Sequence, residues 1–171
     1  MLTQERDMNK FFKNKQRGAM LMDNMIAVGF ISMLLIGIVA AIPTITHKLN
    51  VSNFQKQATD ISTAAVQWKK ARPNFTGLSM DELCKYELIS KSHCSGASAV
   101  SGSNPFGGDW TLTPTQGTFT LTATLPNLTG ETGRQLDLAD TMAPMTKGQC
   151  ASSTGCSTID ASSADSLIMK F

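Results

Sequence analysis

The chain has 171 residues, 42% of them apolar, with 15 basic and 13 acidic side chains. Residues 1–18 hold five of the basic and two of the acidic side chains, which leaves 10 basic and 11 acidic side chains in residues 19–171. This length fits one domain plus a membrane segment. Residues 19–171 are nearly neutral and have no basic patch interleaved with aromatic residues. Nucleic acid is therefore not expected as a direct ligand.

Residues 1–18 form a basic leader that ends in Gln16-Arg17-Gly18. Its net charge of about +3 would hold this end of the chain on the cytoplasmic side of a membrane. An ordinary secretory signal has its small-residue cleavage site after the apolar stretch, and Ala40-Ala41-Ile42 is a poor example of such a site. Here a glycine stands before the apolar stretch instead.

The apolar stretch covers residues 25–45 without a charged side chain. As a helix it would be roughly 31 Å long, enough to cross a bilayer core of about 30 Å, so residues 25–45 are predicted to span a membrane. Asp23 lies beside this segment. Placing an acidic side chain at the hydrocarbon centre costs roughly 2.5 to 3.5 kcal/mol. The preferred interpretation is therefore that Asp23 has a function and a cationic partner. The alternative is an acid that caps the helix just outside the membrane.

A basic leader, then Gly18-Ala19-Met20-Leu21-Met22-Asp23, then an unbroken apolar helix resembles the type IV prepilin family. The resemblance implies that a prepilin peptidase cuts between Gly18 and Ala19 and that the new amino group of Ala19 is methylated. It also implies that Asp23, the fifth mature residue, meets the free amine of a neighbouring subunit during assembly. The family usually has glutamate here, and aspartate keeps the charge but shortens the reach.

A single long helix is predicted for residues 19–72. Gly37 and Pro43 are expected to mark where it bends or melts inside a fibre, since proline removes a backbone donor and clashes with the preceding turn. Beyond Pro43 the helical spacing of apolar residues predicts a stripe that packs on a globular domain. Pro73 is expected to end the helix. The stripe comprises Ile45, Leu49, Phe54, Ala58, Ile61, Ala65 and Trp68.

Residues 73–171 are predicted to form a globular α/β head. A short helix is expected at residues 79–88, where Ser79 is a good N-cap and Glu82 stands in the capping-box position. Alternating apolar residues and threonines predict a hairpin of residues 109–113 and 118–125. Residues 166–171 are a candidate terminal strand. No element is predicted between Pro126 and that strand.

The segment Asn104-Pro105-Phe106-Gly107-Gly108 precedes the predicted hairpin and forms a tight turn by its proline and paired glycines. It is similar to a segment found in type IVb pilins of the bundle-forming and conjugative thin-pilus groups. The resemblance implies an α+β fold, the type IV pilin fold, in which the amphipathic half of the long helix packs on an antiparallel sheet.

Four cysteines, Cys84, Cys94, Cys150 and Cys156, fall in the part that would lie outside the cytoplasm. An even number in that setting indicates disulfides, with three possible connectivities. The pairing of Cys84 with Cys94 and of Cys150 with Cys156 is preferred, because each pair is close in sequence. Metal binding is the alternative, but the spacings do not match the usual zinc pairs.

Catalysis and cofactor binding are not expected. The sequence has no Gly-x-Ser-x-Gly elbow, no phosphate-binding loop and no histidine pair at metal-ligand spacing. His47 and His93 are isolated and are interpreted as packed or solvated side chains.

The sequence therefore predicts the major subunit of a type IVb pilus, anchored in the inner membrane before assembly with its head in the periplasm, and extracellular in the assembled fibre. The implied partners are copies of the chain itself, a prepilin peptidase, an inner-membrane assembly platform with its ATPase, and an outer-membrane secretin. The alternatives are a minor pilin, a type II secretion pseudopilin, or a membrane-anchored envelope binding domain that does not polymerise. Adhesion, aggregation, conjugation and motility stay open as roles of the fibre.

Overall fold

The computed structural model describes residues 5–70, 72–94 and 104–171, and the side chains of these residues except 5–21, 23 and 92. The chain forms two compact units, Met1–His47 and Lys48–Phe171. We call Lys48–Phe171 the head unit. A long helix, α1, covers Glu5–Lys69 and so belongs to both units.

Helix α1 starts earlier and ends earlier than predicted. It already includes the described part of the leader, because a single glycine such as Gly18 costs a helix only about 1 kcal/mol relative to alanine. It ends at Lys69, before the predicted stop at Pro73. There the chain tightens into a turn in which the Lys70 amide donates to the Gln67 carbonyl at 3.1 Å, and the Arg72 guanidinium donates to the Trp68 carbonyl at 2.6 Å.

The apolar stretch of α1 is exposed along its whole length. Every described side chain from Asn24 to Thr46 is exposed, and α1 is the helix in the described part of the chain that is long and apolar enough to cross a membrane. The helix runs unbroken through Gly37 and Pro43. Their expected bend concerns a fibre, so it stays a prediction.

The second half of α1 provides one wall of the core. Phe54, Ala58, Ile61, Ala65 and Trp68 are all buried, as the stripe predicted. The first two members of the predicted stripe are wrong, because Ile45 is 56% exposed and Leu49 is 59% exposed. Helical spacing gives the direction of an apolar face but not the length of the surface that covers it.

The head unit contains a four-stranded antiparallel sheet of order β1-β2-β4-β3. The strands are β1 at Trp110–Pro114, β2 at Phe119–Thr124, β3 at Ile159–Asp160 and β4 at Ser166–Lys170. The predicted hairpin and terminal strand are confirmed. Strand β4 is held between β2 and β3, with Thr120 opposite Lys170 and Ile159 opposite Met169. The face toward α1 buries alternate residues, including Trp110, Leu112, Phe119, Leu121, Ala123, Leu167 and Met169.

Helix α2 covers Met80–Lys85, which is shorter than the predicted range of 79–88. The Ser79 hydroxyl accepts from the Glu82 amide at 3.2 Å, as the capping box predicted. The helix stops because Glu87 adopts a φ of 52°, and the amides of Glu87 and Leu88 turn back to the carbonyls of Cys84 and Leu83. These paired bonds are those of a Schellman ending.

Helix α3, Thr132–Met142, was not predicted. It buries Gln135, Leu138, Ala139 and Met142, which follow helical spacing. Three short 3-10 helices, Lys91–His93, Pro126–Leu128 and Ala143–Met145, complete the described secondary structure.

Candidate functional site

The proposed cleavage and assembly segment lies in the first part of α1. Gly18, Ala19 and Asp23 have helical backbone, and positions four residues apart share one face of a helix. Their side chains lie outside the described ones, so the cleavage, methylation and pairing roles stay predictions.

The exposed part of α1 forms an apolar surface that needs a partner. Its large apolar side chains between Met22 and Leu49 are all at least half exposed, with the lowest value of 53% at Leu34 and Ile42. Contiguous apolar surface of this extent is not typical of a soluble monomer. Lipid or other apolar helices can cover this surface, and either one would remove it from water.

The turn of residues 104–108 is built around the buried side chain of Asn104, which is 3% exposed. Its Oδ1 accepts from the Phe106 amide at 2.9 Å and the Gly108 amide at 3.3 Å. Its Nδ2 donates to the Thr124 carbonyl at 2.7 Å, which fixes the turn to the end of β2. Gly107 has a φ of +80°, a left-handed conformation that favours glycine.

This turn positions two aromatic rings that anchor α1. The Phe54 ring centroid lies 5.7 Å from that of Phe106 and 4.5 Å from that of Trp110. The Trp110 indole also donates to the Gln57 amide oxygen at 3.0 Å. The segment that carries the resemblance to type IVb pilins therefore has a structural task here, which is to dock the sheet on the long helix.

We expect Gly108→Ala to destabilise the head unit by about 3 kcal/mol. This is the upper end of the range of about 1 to 3 kcal/mol that is typical of overpacking. A Cβ at Gly108 would clash with the Thr124 carbonyl oxygen, so backbone atoms would have to move. The matched control is Gly133→Ala in α3, where a Cβ would meet nothing within 4 Å. Alanine there should leave stability unchanged or raise it by up to about 1 kcal/mol. Urea unfolding of the full chain in detergent, followed by tryptophan fluorescence, measures both; equal midpoints for the two variants would contradict this account of the turn.

Two disulfides close short loops in the head unit. Cys84 is bonded to Cys94 with a Cα–Cα distance of 5.8 Å, and Cys150 to Cys156 with a Cα–Cα distance of 5.9 Å. This is the preferred pairing of the three connectivities. All four thiols are used in disulfides, which leaves no cysteine thiolate for a metal, and no group of three or more potential metal ligands occurs among the described residues.

Asp140 fastens the second disulfide loop to α3. Its Oδ1 accepts from the Ser152 hydroxyl at 3.0 Å, the Ser153 amide at 2.8 Å and the Ser153 hydroxyl at 2.6 Å. The Ser153 hydroxyl, the Ser153 amide and the Ser152 hydroxyl lower the pKa of this carboxyl, in that order of importance. Sequence reasoning missed this contact, because α3 itself was not predicted.

Removing the Cys150–Cys156 disulfide, as the double variant Cys150→Ser with Cys156→Ser, should lower the free energy of unfolding by roughly 2 to 3 kcal/mol in the chain-entropy account. Thermal unfolding of the purified full chain measures the loss. Reduced wild type is the control, and it should lose more than the double variant, which keeps the Cys84–Cys94 bond. Non-reducing peptide mapping that found free thiols at all four positions would contradict both the pairing and an extracytoplasmic head.

No protein-family model, curated protein or solved structure matches this chain.

Proposed function

We propose that the chain is the major structural subunit of a type IVb pilus and not an enzyme. The observation that carries the proposal is the division of α1. One part presents an exposed apolar surface over residues 25–45. The part from Phe54 to Trp68 buries one face in a disulfide-bonded head unit. The motif of Gly18-Ala19 with Asp23 lies directly before the apolar surface. This position supports a pilin subunit, in which that surface is used for assembly.

Before assembly the apolar surface lies in the inner membrane, and after assembly the same surface is buried among the helices of neighbouring subunits in the fibre core. Both states remove it from water, so transfer from one to the other need not expose it. The head stays outside the cytoplasm, where its disulfides can form and persist. A prepilin peptidase, an inner-membrane platform with an ATPase, and a secretin serve processing, assembly and export.

Minor pilins and type II secretion pseudopilins would share the same first part of α1. Four cysteines in two disulfides argue against a major pseudopilin, which usually lacks them. A single-span anchored binding domain would have no use for cleavage after Gly18. The N-terminal residue of the mature chain therefore separates the pilin class from an anchored binding domain.

The test is to determine the N-terminus and intact mass of the protein from two sources, the inner membrane and the material sheared from the cell surface. We expect a chain that begins with N-methylated Ala19 in both sources, and fibres in the sheared material. A chain that keeps residues 1–18 and occurs in the inner membrane alone would overturn the proposal in favour of the anchored binding domain. A processed chain that occurs in fibres only in small amounts would favour the minor pilin.

A further inference from the structure

The head unit has two ends that differ in charge. The register of the sheet places the turn of residues 115–118 next to Lys170, since Thr120 pairs with both Thr113 and Lys170. We call this the turn end. At the opposite end, which we call the open end, Thr124 pairs with Ser166, and the open end therefore carries Asp109 and Asp165 just outside the strands.

The turn end has a groove of about 620 Å³ between the second half of α1 and the sheet. Its apolar surface includes the rings of Phe119 and Phe171, which stack at a centroid distance of 5.3 Å, and Val66, which is 58% exposed. Lys69 and Lys147 also line the groove, and among the described side chains no acidic one does. The exposed Lys170 lies at the same end, so the described charged side chains there are positive.

The open end has a smaller cavity of about 290 Å³. Asp109 and Asp165 are both exposed there, beside the exposed Pro126. None of the basic side chains that the structure describes lines this cavity. The two acids are brought together by the fold, because Asp109 precedes β1 and Asp165 precedes β4, and the Leu125 amide donates to the Asp165 carbonyl at 2.6 Å.

These charges are not neutralised within the described part of the chain. The ion pairs found there join Lys85 to Glu82, Lys91 to Glu87 and Arg134 to Glu131. Lys69 instead lies over the Phe75 ring, with its Nζ 4.6 Å from the ring centroid. Both ends thus keep charges that a second molecule can meet.

The ends lie far enough apart to be used at the same time. Along α1, Phe54 and Gln57 contact Trp110 at the open end, whereas Val66 and Lys69 line the groove at the turn end. Strands of five to six residues separate the ends by about 17 to 20 Å. A contact between two different patches of one chain is heterologous, and it continues into an open filament when the rotation does not close.

We infer that the turn-end groove is the docking surface for the open end of a second copy of this chain. The inference rests on the proposed function, to which it adds the head surfaces that set the register between subunits. Lys69 and Lys147 of one copy face Asp109 and Asp165 of the next, while Pro126 covers the apolar part of the groove around Val66. Exposed ion pairs contribute little affinity, but complementary charges select the partner surface and penalise a wrong one. The apolar half of α1 supplies most of the association.

The test is charge reversal in cells with a complete assembly machinery, with the sheared surface fraction and the processed protein in the inner membrane both measured. The lysine variant carries Lys69→Glu and Lys147→Glu, and the aspartate variant carries Asp109→Lys and Asp165→Lys. Each should lower the sheared fraction about tenfold or more, at a normal level of processed protein, because like charges then face each other. The combined variant has both ends reversed and should recover to within about twofold of wild type.

The matched control exchanges a charge pair that lines neither the turn-end groove nor the open-end cavity, as Lys91→Glu with Glu87→Lys, and should assemble as wild type does. The melting temperature of each purified full chain shows whether it folds; if a double variant does not, the single variants Lys147→Glu and Asp165→Lys and their combination replace it. Folded variants that assemble as well as wild type would overturn the inference and leave the proposed function standing. A folded combined variant that fails to recover would also overturn it. Wild type that forms no fibres would instead reject the proposed function.

Discussion

Replacing Gly18 by valine is expected to leave the whole chain as uncut precursor in the inner membrane and to abolish fibres. The resemblance to prepilins implies that the peptidase accepts glycine before the cut, and a branched side chain would occupy space that the glycine leaves empty. The apolar stretch of residues 25–45 is unchanged in this variant, so insertion in the membrane should be normal. Immunoblotting of membrane and sheared fractions, with intact mass to distinguish precursor from product, gives the result.

Gly29→Val is the matched control for this change. Gly29 lies in the same helix, and a Cβ there would meet nothing within 4 Å. The control variant carries the same substitution beyond the cleavage site and should be cut as wild type is. Normal maturation of Gly18→Val, with a mature chain that begins at Ala19, would contradict the assignment of the cleavage site.

The elements with local signals were predictable from the sequence. The Ser79 cap and the alternation of apolar residues in β2 are properties of neighbouring residues, and both appear in the structure where expected. The pairing of the cysteines followed from their closeness in sequence. In each case the interaction that decides the structure lies within a few residues of the pattern that predicts it.

Helix α3 was missed because its stabilising contacts are distant in sequence. Its N-cap, Glu131, makes no side-chain cap bond, and the buried face begins with the polar Gln135, which interrupts the apolar pattern. The Gln135 amide is satisfied by the carbonyls of Ser163 and Ser166, which lie before and within β4. A buried amide is tolerated when such partners exist, but only the tertiary structure brings these partners to it.

The candidate assembly surface also has a part that the sequence predicts and a part that depends on residues distant in sequence. The apolar half of α1 and the acid at position 23 are visible in the sequence as a run and a single charge. The two charged ends of the head unit are not visible in the sequence. Lys69 and Lys147 are 78 positions apart, and Asp109 and Asp165 are 56 positions apart. The register of the sheet brings Asp109 and Asp165 together, and Lys69 and Lys147 meet at the groove between α1 and the sheet.

The second large effect is expected for Asp23→Asn, which should be cut and held in the membrane normally but should form few or no fibres. In the unassembled chain a carboxylate near the new N-terminus of the helix is favoured by the helix dipole by only about 0.3 to 1 kcal/mol, so its loss should cost little. In the fibre core the same carboxylate would face the amine of a neighbouring Ala19. Removing one member of a buried pair leaves the other charge uncompensated, at roughly 3 to 5 kcal/mol.

Two further variants separate charge from geometry at this position. Asp23→Asn combined with Asn24→Asp keeps the net charge but moves the acid by about 100° around the helix, and it should not restore assembly if the carboxylate has to meet a particular amine. Asp23→Glu keeps the position and lengthens the reach by one methylene. The ratio of sheared to processed protein is the quantity to compare. If the Asp23→Asn variant assembles as well as wild type, the pairing role is rejected. If the Asp23→Glu variant assembles better than wild type, the shorter aspartate side chain weakens the pair. A subunit of low abundance in the fibre could tolerate such a weak pair.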